Sequence, residues 1–152
     1  MQRPLLALPA ALALLAAAGA QASSGTIGLS GAVPTDCQLS IYQAVQTVDI
    51  VNGVSNMTLG SVGEQCNSGT GYTVTISSQN AGVMLSDGAQ AVPYSIQWHD
   101  TGLRQLTSPI VLTRTAARAY LTTRSFRVTV PAQPRALAGT YTDTITMTIA
   151  AR

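Results

Sequence analysis

The chain has 152 residues, 46% hydrophobic and only 9% charged, with a formal net charge of +2, a single histidine and no lysine. A charge so near zero, with aromatic residues spaced as core positions, argues against nucleic-acid binding; one histidine and two distant cysteines fall short of the four ligands of a usual zinc site. The length suits one domain able to bury a core.

The first residues read as a secretory signal peptide, residues 1–22. Arg3 supplies the positive start, Leu5 to Ala18 the apolar run and Ala20-Gln21-Ala22 the small-residue cleavage site. Cleavage places the mature start at Ser23 and leaves 152 less 22, or 130, residues. The apolar run is short for a membrane span and polar, glycine-rich sequence follows it at once. No later run is long enough to cross a bilayer, and no cysteine follows the cleavage site to carry a lipid, so the mature chain is expected to be soluble.

Ile27, Leu29, Gly31 and Val33 then alternate with Gly28, Ser30 and Ala32, an extended segment with one apolar edge. On pattern alone it fits the domain's own first strand as well as a separate extension. Cys37 and Cys66 are the only cysteines, and an even count in an exported chain is expected to be oxidised. That disulfide closes a loop of about 30 residues, stabilises by roughly 3 to 4 kcal/mol in the chain-entropy model, and is expected to tie the first strand to the strand starting near Tyr72.

Strand alternation recurs through the rest. Tyr72, Val74 and Ile76 share a face, as do Val92, Tyr94, Ile96 and Trp98, and Phe126, Val128 and Val130. In the final strand Tyr141, Asp143, Ile145, Met147 and Ile149 line one side and a ladder of threonines from Thr140 to Thr148 the other, close enough to the last residue that no later strand is expected. Turn signals separate these runs at Val51-Asn52-Gly53, Asn67-Ser68-Gly69, Asn80-Ala81-Gly82, Ser86-Asp87-Gly88 and Pro131 to Pro134. Short strands at this spacing predict an all-β sandwich. One stretch, Thr113 to Leu121 with Ala116, Ala117 and Ala119, reads as a short helix.

Charge divides the mature chain. Ser23 to Asp100 holds five acids and no base, whereas Thr101 to Arg152 holds seven arginines and one acid, Asp143. This describes a solvated face, or complementary contact between neighbouring copies, or attraction to an anionic surface. The carboxylates stand mostly near turns, with no pairing for acid–base work. His99 beside Asp100 is the only imidazole, no Gly-x-Ser-x-Gly elbow or glycine-rich phosphate loop occurs, and His99 reads as a loop or strand-end residue. No enzyme, metal site or cofactor is expected.

Four stretches in order resemble the pilin subunits of the archaic chaperone-usher pathway, which share the spore coat protein U domain. They are the alternating segment from Ile27 into Cys37; Cys66-Asn67-Ser68-Gly69 leading to Tyr72-Thr73-Val74; Val92-Pro93-Tyr94-Ser95-Ile96 leading to His99-Asp100; and Gly139-Thr140-Tyr141-Thr142-Asp143 leading to Ile149. The terminal Gly-x-Tyr-x-Asp run is the most specific. The stretch between the cysteines departs from the pattern, being short and without an Asn-Phe-Gly-type strand. The resemblance implies an immunoglobulin-like sandwich over 37–152 that lacks its last strand, preceded by a donor-strand extension over 23–36. A periplasmic chaperone would fill the gap first; at the outer-membrane usher, the extension of a neighbouring subunit would replace it by donor-strand exchange, a form of β-augmentation. Carried over, the donor edge is Ile27, Leu29, Gly31 and Val33, and the acceptor groove includes Ile145, Met147 and Ile149. The expected product is a shaft or minor subunit of a surface pilus, with an indirect part in cell adhesion and biofilm. The alternative is a secreted spore-coat-type protein whose own N-terminal strand fills its groove and which does not polymerise.

Overall fold

A computed structural model describes residues 22–42, 46–87 and 90–152. The expected signal peptide lies outside the described residues except for Ala22, and so does Gly88 of the expected Ser86-Asp87-Gly88 turn. The chain divides into two units, Met1–Ala32 and Val33–Arg152. In the first, residues 22–32 are exposed and form no strand or helix.

The second unit is built from ten strands: β1 (Cys37–Tyr42), β2 (Val54–Cys66), β3 (Tyr72–Ser78), β4 (Val83–Ser86), β5 (Ala91–Pro93), β6 (Ser95–Trp98), β7 (Ile110–Arg114), β8 (Arg118–Val130), β9 (Tyr141–Thr142) and β10 (Ile145–Ala151). They pair in three sheets, ordered β1-β2-β8-β6, β10-β3-β7 and β5-β4-β9, with every pairing antiparallel. The first order reproduces the A-B-E-D layer of an immunoglobulin sandwich, and β10-β3 corresponds to the F-C pair of the facing layer. The fold is an all-β, immunoglobulin-like sandwich. Among the described residues there is no helix.

Alternation explains the core. Tyr72, Val74 and Ile76 of β3 are fully buried while Thr73 and Thr75 between them are not, and they pack with Ile96, Trp98, Phe126, Val128 and Val130 of the first sheet. Val92, Tyr94, Ile96 and Trp98 stay on the buried side although the chain passes from one sheet to another among them, because Tyr94 bridges β5 and β6 with its amide donating to the Gly82 carbonyl at 3.1 Å. The turn signals at 51–53, 67–69 and 80–82 all fall between strands.

Three expectations need correction. The stretch Thr113 to Leu121 is not a helix: it ends β7 and begins β8, with exposed Ala116 and Ala117 in the link. It carries no apolar stripe for a helix to bury, its threonines favour extended backbone, and β2 supplies the ladder through pairs such as Cys66 with Arg118. Second, Cys37 and Cys66 are joined, but Cys66 is the last residue of β2, so the bridge ties β1 to its direct neighbour and not to the strand from Tyr72. The 13-residue β2 hides from a period-two reading because its register against β8 shifts three times, and the first two shifts each reverse which parity faces inward. Third, Glu64 is not a solvated carboxylate of a turn: it lies within β2, two residues before its end, and is fully buried.

Candidate functional site

The last strand presents the face expected of it. Tyr141, Asp143, Ile145, Met147 and Ile149 are half-buried, while Thr142, Thr144, Thr146 and Thr148 are exposed. Yet β10 lies at the edge of its sheet, paired only with β3, and β1 lies at the edge of the other sheet, paired only with β2. In a complete immunoglobulin sandwich a seventh strand pairs with the strand that β10 represents. Among the described residues none does.

Beside β10 the two layers part around a cavity of about 630 Å³. Ile145 and Met147 form one wall; Ile41 of β1, Leu59 of β2 and Phe126 and Val128 of β8 form part of the opposite one. Ile149, which pairs with Val74 further along, packs on the core and is not part of this wall. The cavity explains the incomplete burial of Ile145 and Met147: they pack on the core and also border open space between the layers. An apolar groove bounded by two unpaired strand edges offers backbone hydrogen bonds and side-chain pockets to one extended peptide.

The Gly-x-Tyr-x-Asp run builds the rim. Asp143, in the break between β9 and β10, accepts four hydrogen bonds: from Tyr94 Oη at 2.5 Å and Ser78 Oγ at 2.6 Å on Oδ2, and from the amides of Asn80 at 3.0 Å and Thr144 at 2.7 Å on Oδ1. Ser78 Oγ in turn accepts from the Gly82 amide at 2.7 Å, so one carboxylate ties the start of β10 to the β3–β4 turn. Burial, and next the hydrogen bond to Asp143, push the Tyr94 phenol well above the ordinary tyrosine range. Tyr141 Oη lies within reach of the Leu137 carbonyl at 2.9 Å and of Gln90 Oε1, which fixes the loop before β9. Sequence reasoning placed Asp143 in the motif but missed Tyr94 and Ser78 as its partners and the β1, β2 and β8 side chains across the groove. The lone polar residue on the apolar face of the final strand was the available signal.

The residues of the expected donor edge are open to solvent: Ile27 is 91%, Leu29 96% and Val33 86% exposed, and an added Cβ at Gly31 meets nothing within 4 Å. His99 follows β6 in a turn at φ 55°, its Nδ1 2.9 Å from Asp100 Oδ1, and is hydrogen-bonded to no serine among the described residues. The acidic and basic halves meet inside the domain, where buried Glu64 lies 3.6 Å from Arg114 Nε and 3.7 Å from Arg118 Nε, and Arg114 also reaches Asp100 at 3.4 Å. Among the described residues no cluster of three or more metal-ligating side chains occurs.

Residues 22–148 match the model of the Spore Coat Protein U domain. The chain belongs to that family. No curated protein matches it. Among solved structures it is similar to HdaB, the minor tip subunit of the E. coli Hda pilus, at 12% identity and a TM-score of 0.37, over 74% of this chain and 79% of that one.

Proposed function

We propose that this chain is a structural subunit of a bacterial surface fibre, exported through the periplasm and joined to its neighbours by donor-strand exchange. The observation that carries the reading is the groove: two unpaired strand edges, β1 and β10, flank an apolar cavity of about 630 Å³, and the same chain carries an exposed, alternating apolar segment at Ile27, Leu29 and Val33. Length fits as well: the seven residues from Ile27 to Val33 match the seven of β10. A strand added there takes backbone hydrogen bonds from the edges and buries alternate side chains, each contributing about 1.5 to 3 kcal/mol before ordering is subtracted. An open edge of this kind invites aggregation, which is the physical reason for a periplasmic chaperone to cover it and for an outer-membrane usher to exchange that cover for the next subunit. Family membership at the level of the Spore Coat Protein U domain agrees with this reading.

The test is Leu29→Asp beside deletion of residues 23–33, each co-expressed with its chaperone. Both variants fold and are captured by the chaperone, since the sandwich core is untouched, and neither polymerises. Fibres from the deletion overturn the donor assignment. A wild-type protein that purifies as a chaperone-independent monomer supports instead a self-filled, non-polymeric sandwich.

A further inference from the structure

The turn before β2 carries Asn52-Gly53, the dipeptide from which a side-chain amide is most easily lost, because glycine has no side chain to shield its nitrogen. That nitrogen gives up its proton to solvent and attacks Asn52 Cγ. The Cγ–Nδ2 bond breaks, ammonia leaves with a proton from water, and a succinimide ring remains. Water then opens the ring. Attack at Cγ gives aspartate, whereas attack at the main-chain carbonyl gives isoaspartate, whose backbone runs through the side chain and is longer by a methylene. Asn52 is exposed, so water reaches it. Asp49 restrains it: Oδ1 accepts from the Asn52 amide at 2.9 Å and Oδ2 from Asn52 Nδ2 at 2.8 Å. The side-chain bond, and next the backbone bond, hold the Asp49 carboxyl below its ordinary range, so it is ionised in the neutral and alkaline solutions where the glycine nitrogen reacts. Ring closure requires the Asn52 side chain to rotate freely and Nδ2 to depart, and departure gives up the bond to Oδ2. Gly53 is fixed as well. At φ 74° it packs so closely on Val130 and Ala132 that an added Cβ would lie 2.6 Å from the Ala132 nitrogen. The same close fit gives the modification a consequence. The Ile50 carbonyl accepts from the Gln133 amide at 2.9 Å, and Val48 and Ile50 line the groove. A methylene added between Asn52 and Gly53 has no room in that seat and pushes the turn off residues 130–133.

We infer that Asn52-Gly53 is a deamidation site kept closed by Asp49, and that isoaspartate formed there releases the segment carrying Val48 and Ile50 from the groove wall. Neither half of this depends on what the groove binds.

The experiment incubates the purified mature protein in mildly alkaline buffer and follows deamidation and isoaspartate at each asparagine by peptide mass spectrometry. A free peptide of residues 49–55 supplies the unprotected rate. Wild-type protein is expected to react at Asn52 at least about tenfold more slowly than the peptide, and Asp49→Ala to recover about tenfold. Asp49→Asn keeps an acceptor oxygen for one of the two bonds and should fall between. Asn67-Ser68 and Asn80-Ala81 also precede small residues, so they report general loosening and should keep their wild-type rates in both variants. An unchanged Asn52 rate in Asp49→Ala overturns the guard, as does a rise shared equally by Asn67 and Asn80, or wild-type protein that reacts as fast as the peptide. For the second half, the isoaspartate form is separated from unmodified protein by ion exchange and the two are compared by amide hydrogen exchange. Amides of residues 48–54 are expected to exchange at least about fivefold faster in the isoaspartate form, with those of β3 unchanged. Equal exchange at 48–54 in the two forms overturns the release of the wall.

Discussion

Tyr94 and Asp143 meet at 2.5 Å across the rim of the groove, a phenol donating to a carboxylate that takes three further hydrogen bonds. The pair joins the bridge between β5 and β6 to the break between β9 and β10, two places where no ladder of its own holds the chain. Asp143→Ala leaves four donors without this acceptor, two of them on side chains packed into the rim. The expected cost is about 3 kcal/mol, seen as a lower denaturant midpoint in chemical unfolding. Asp143→Asn keeps an acceptor for the Asn80 and Thr144 amides and is expected to cost less. Equal stability of Asp143→Ala and wild type would remove the hub.

The same pair makes stability fall in alkali. Burial and the bond to Asp143 hold the Tyr94 phenol protonated in the fold, above the value of about 10 for a free tyrosine. The folded pKa exceeds the unfolded one, so the stabilisation is whole below about pH 10 and is lost as pH rises from there through the folded value. Chemical unfolding of wild type and Tyr94→Phe across that range should converge, with the wild-type advantage shrinking as pH rises. A difference independent of pH would mean the phenol contributes by packing alone.

Glu64 is fully buried between Arg114 and Arg118, neither close enough for a hydrogen bond. Arg114→Leu deprives that carboxylate of its more buried partner and is expected to destabilise by about 3 kcal/mol. Adding Glu64→Leu should return much of the loss, since a buried ion pair often contributes little net over an apolar replacement. A double variant as unstable as the single one would show that Glu64 holds the fold by some other contact.

The alternating strands were legible because their parity is unbroken: Tyr72 to Ile76, Phe126 to Val130 and Tyr141 to Ile149 each keep one face inward over their whole length. The same rule failed for β2, where two of its register shifts reverse parity, and at Ala116 to Ala119, where composition suggested a helix that has nothing to pack on. Half of the groove could be read from the last strand. The other half, Ile41, Leu59 and Phe126, comes from strands far apart in the chain, and only the sheet order brings them opposite Ile145 and Met147. Glu64 was missed for a related reason, since its partners Arg114 and Arg118 lie about fifty residues away and both sit in the stretch read as helix.

The final prediction concerns residues 34–36, the root that leads from the proposed donor segment into β1. Asn67 treats residues 34–36 as a further residue of β2 would: its Oδ1 accepts from the Asp36 amide at 2.7 Å, its Nδ2 donates to the Pro34 carbonyl at 2.9 Å, and its own amide donates to the Asp36 carbonyl at 3.0 Å. The β1–β2 ladder thus runs one step past the Cys37–Cys66 bridge, and Pro34 biases Val33 before it toward extended backbone. Asn67→Ala removes the two side-chain bonds. Both are exposed, so water replaces them and global stability should fall by only about 1 kcal/mol. Local opening should respond more: native-state proteolysis at Val33 to Asp36 is expected to quicken by about tenfold, with the disulfide intact. Under the donor-strand reading the loosened root also lets Ile27 to Val33 turn back toward the groove of their own subunit, so the monomeric share should rise at the expense of fibres. Asn67→Asp keeps the acceptor for Asp36 and loses the donor to Pro34, and should fall between the two. Cleavage of Asn67→Ala at the wild-type rate would mean that Pro34 and the disulfide alone hold the root, and an unchanged monomeric share beside faster cleavage would confine the clamp to local order.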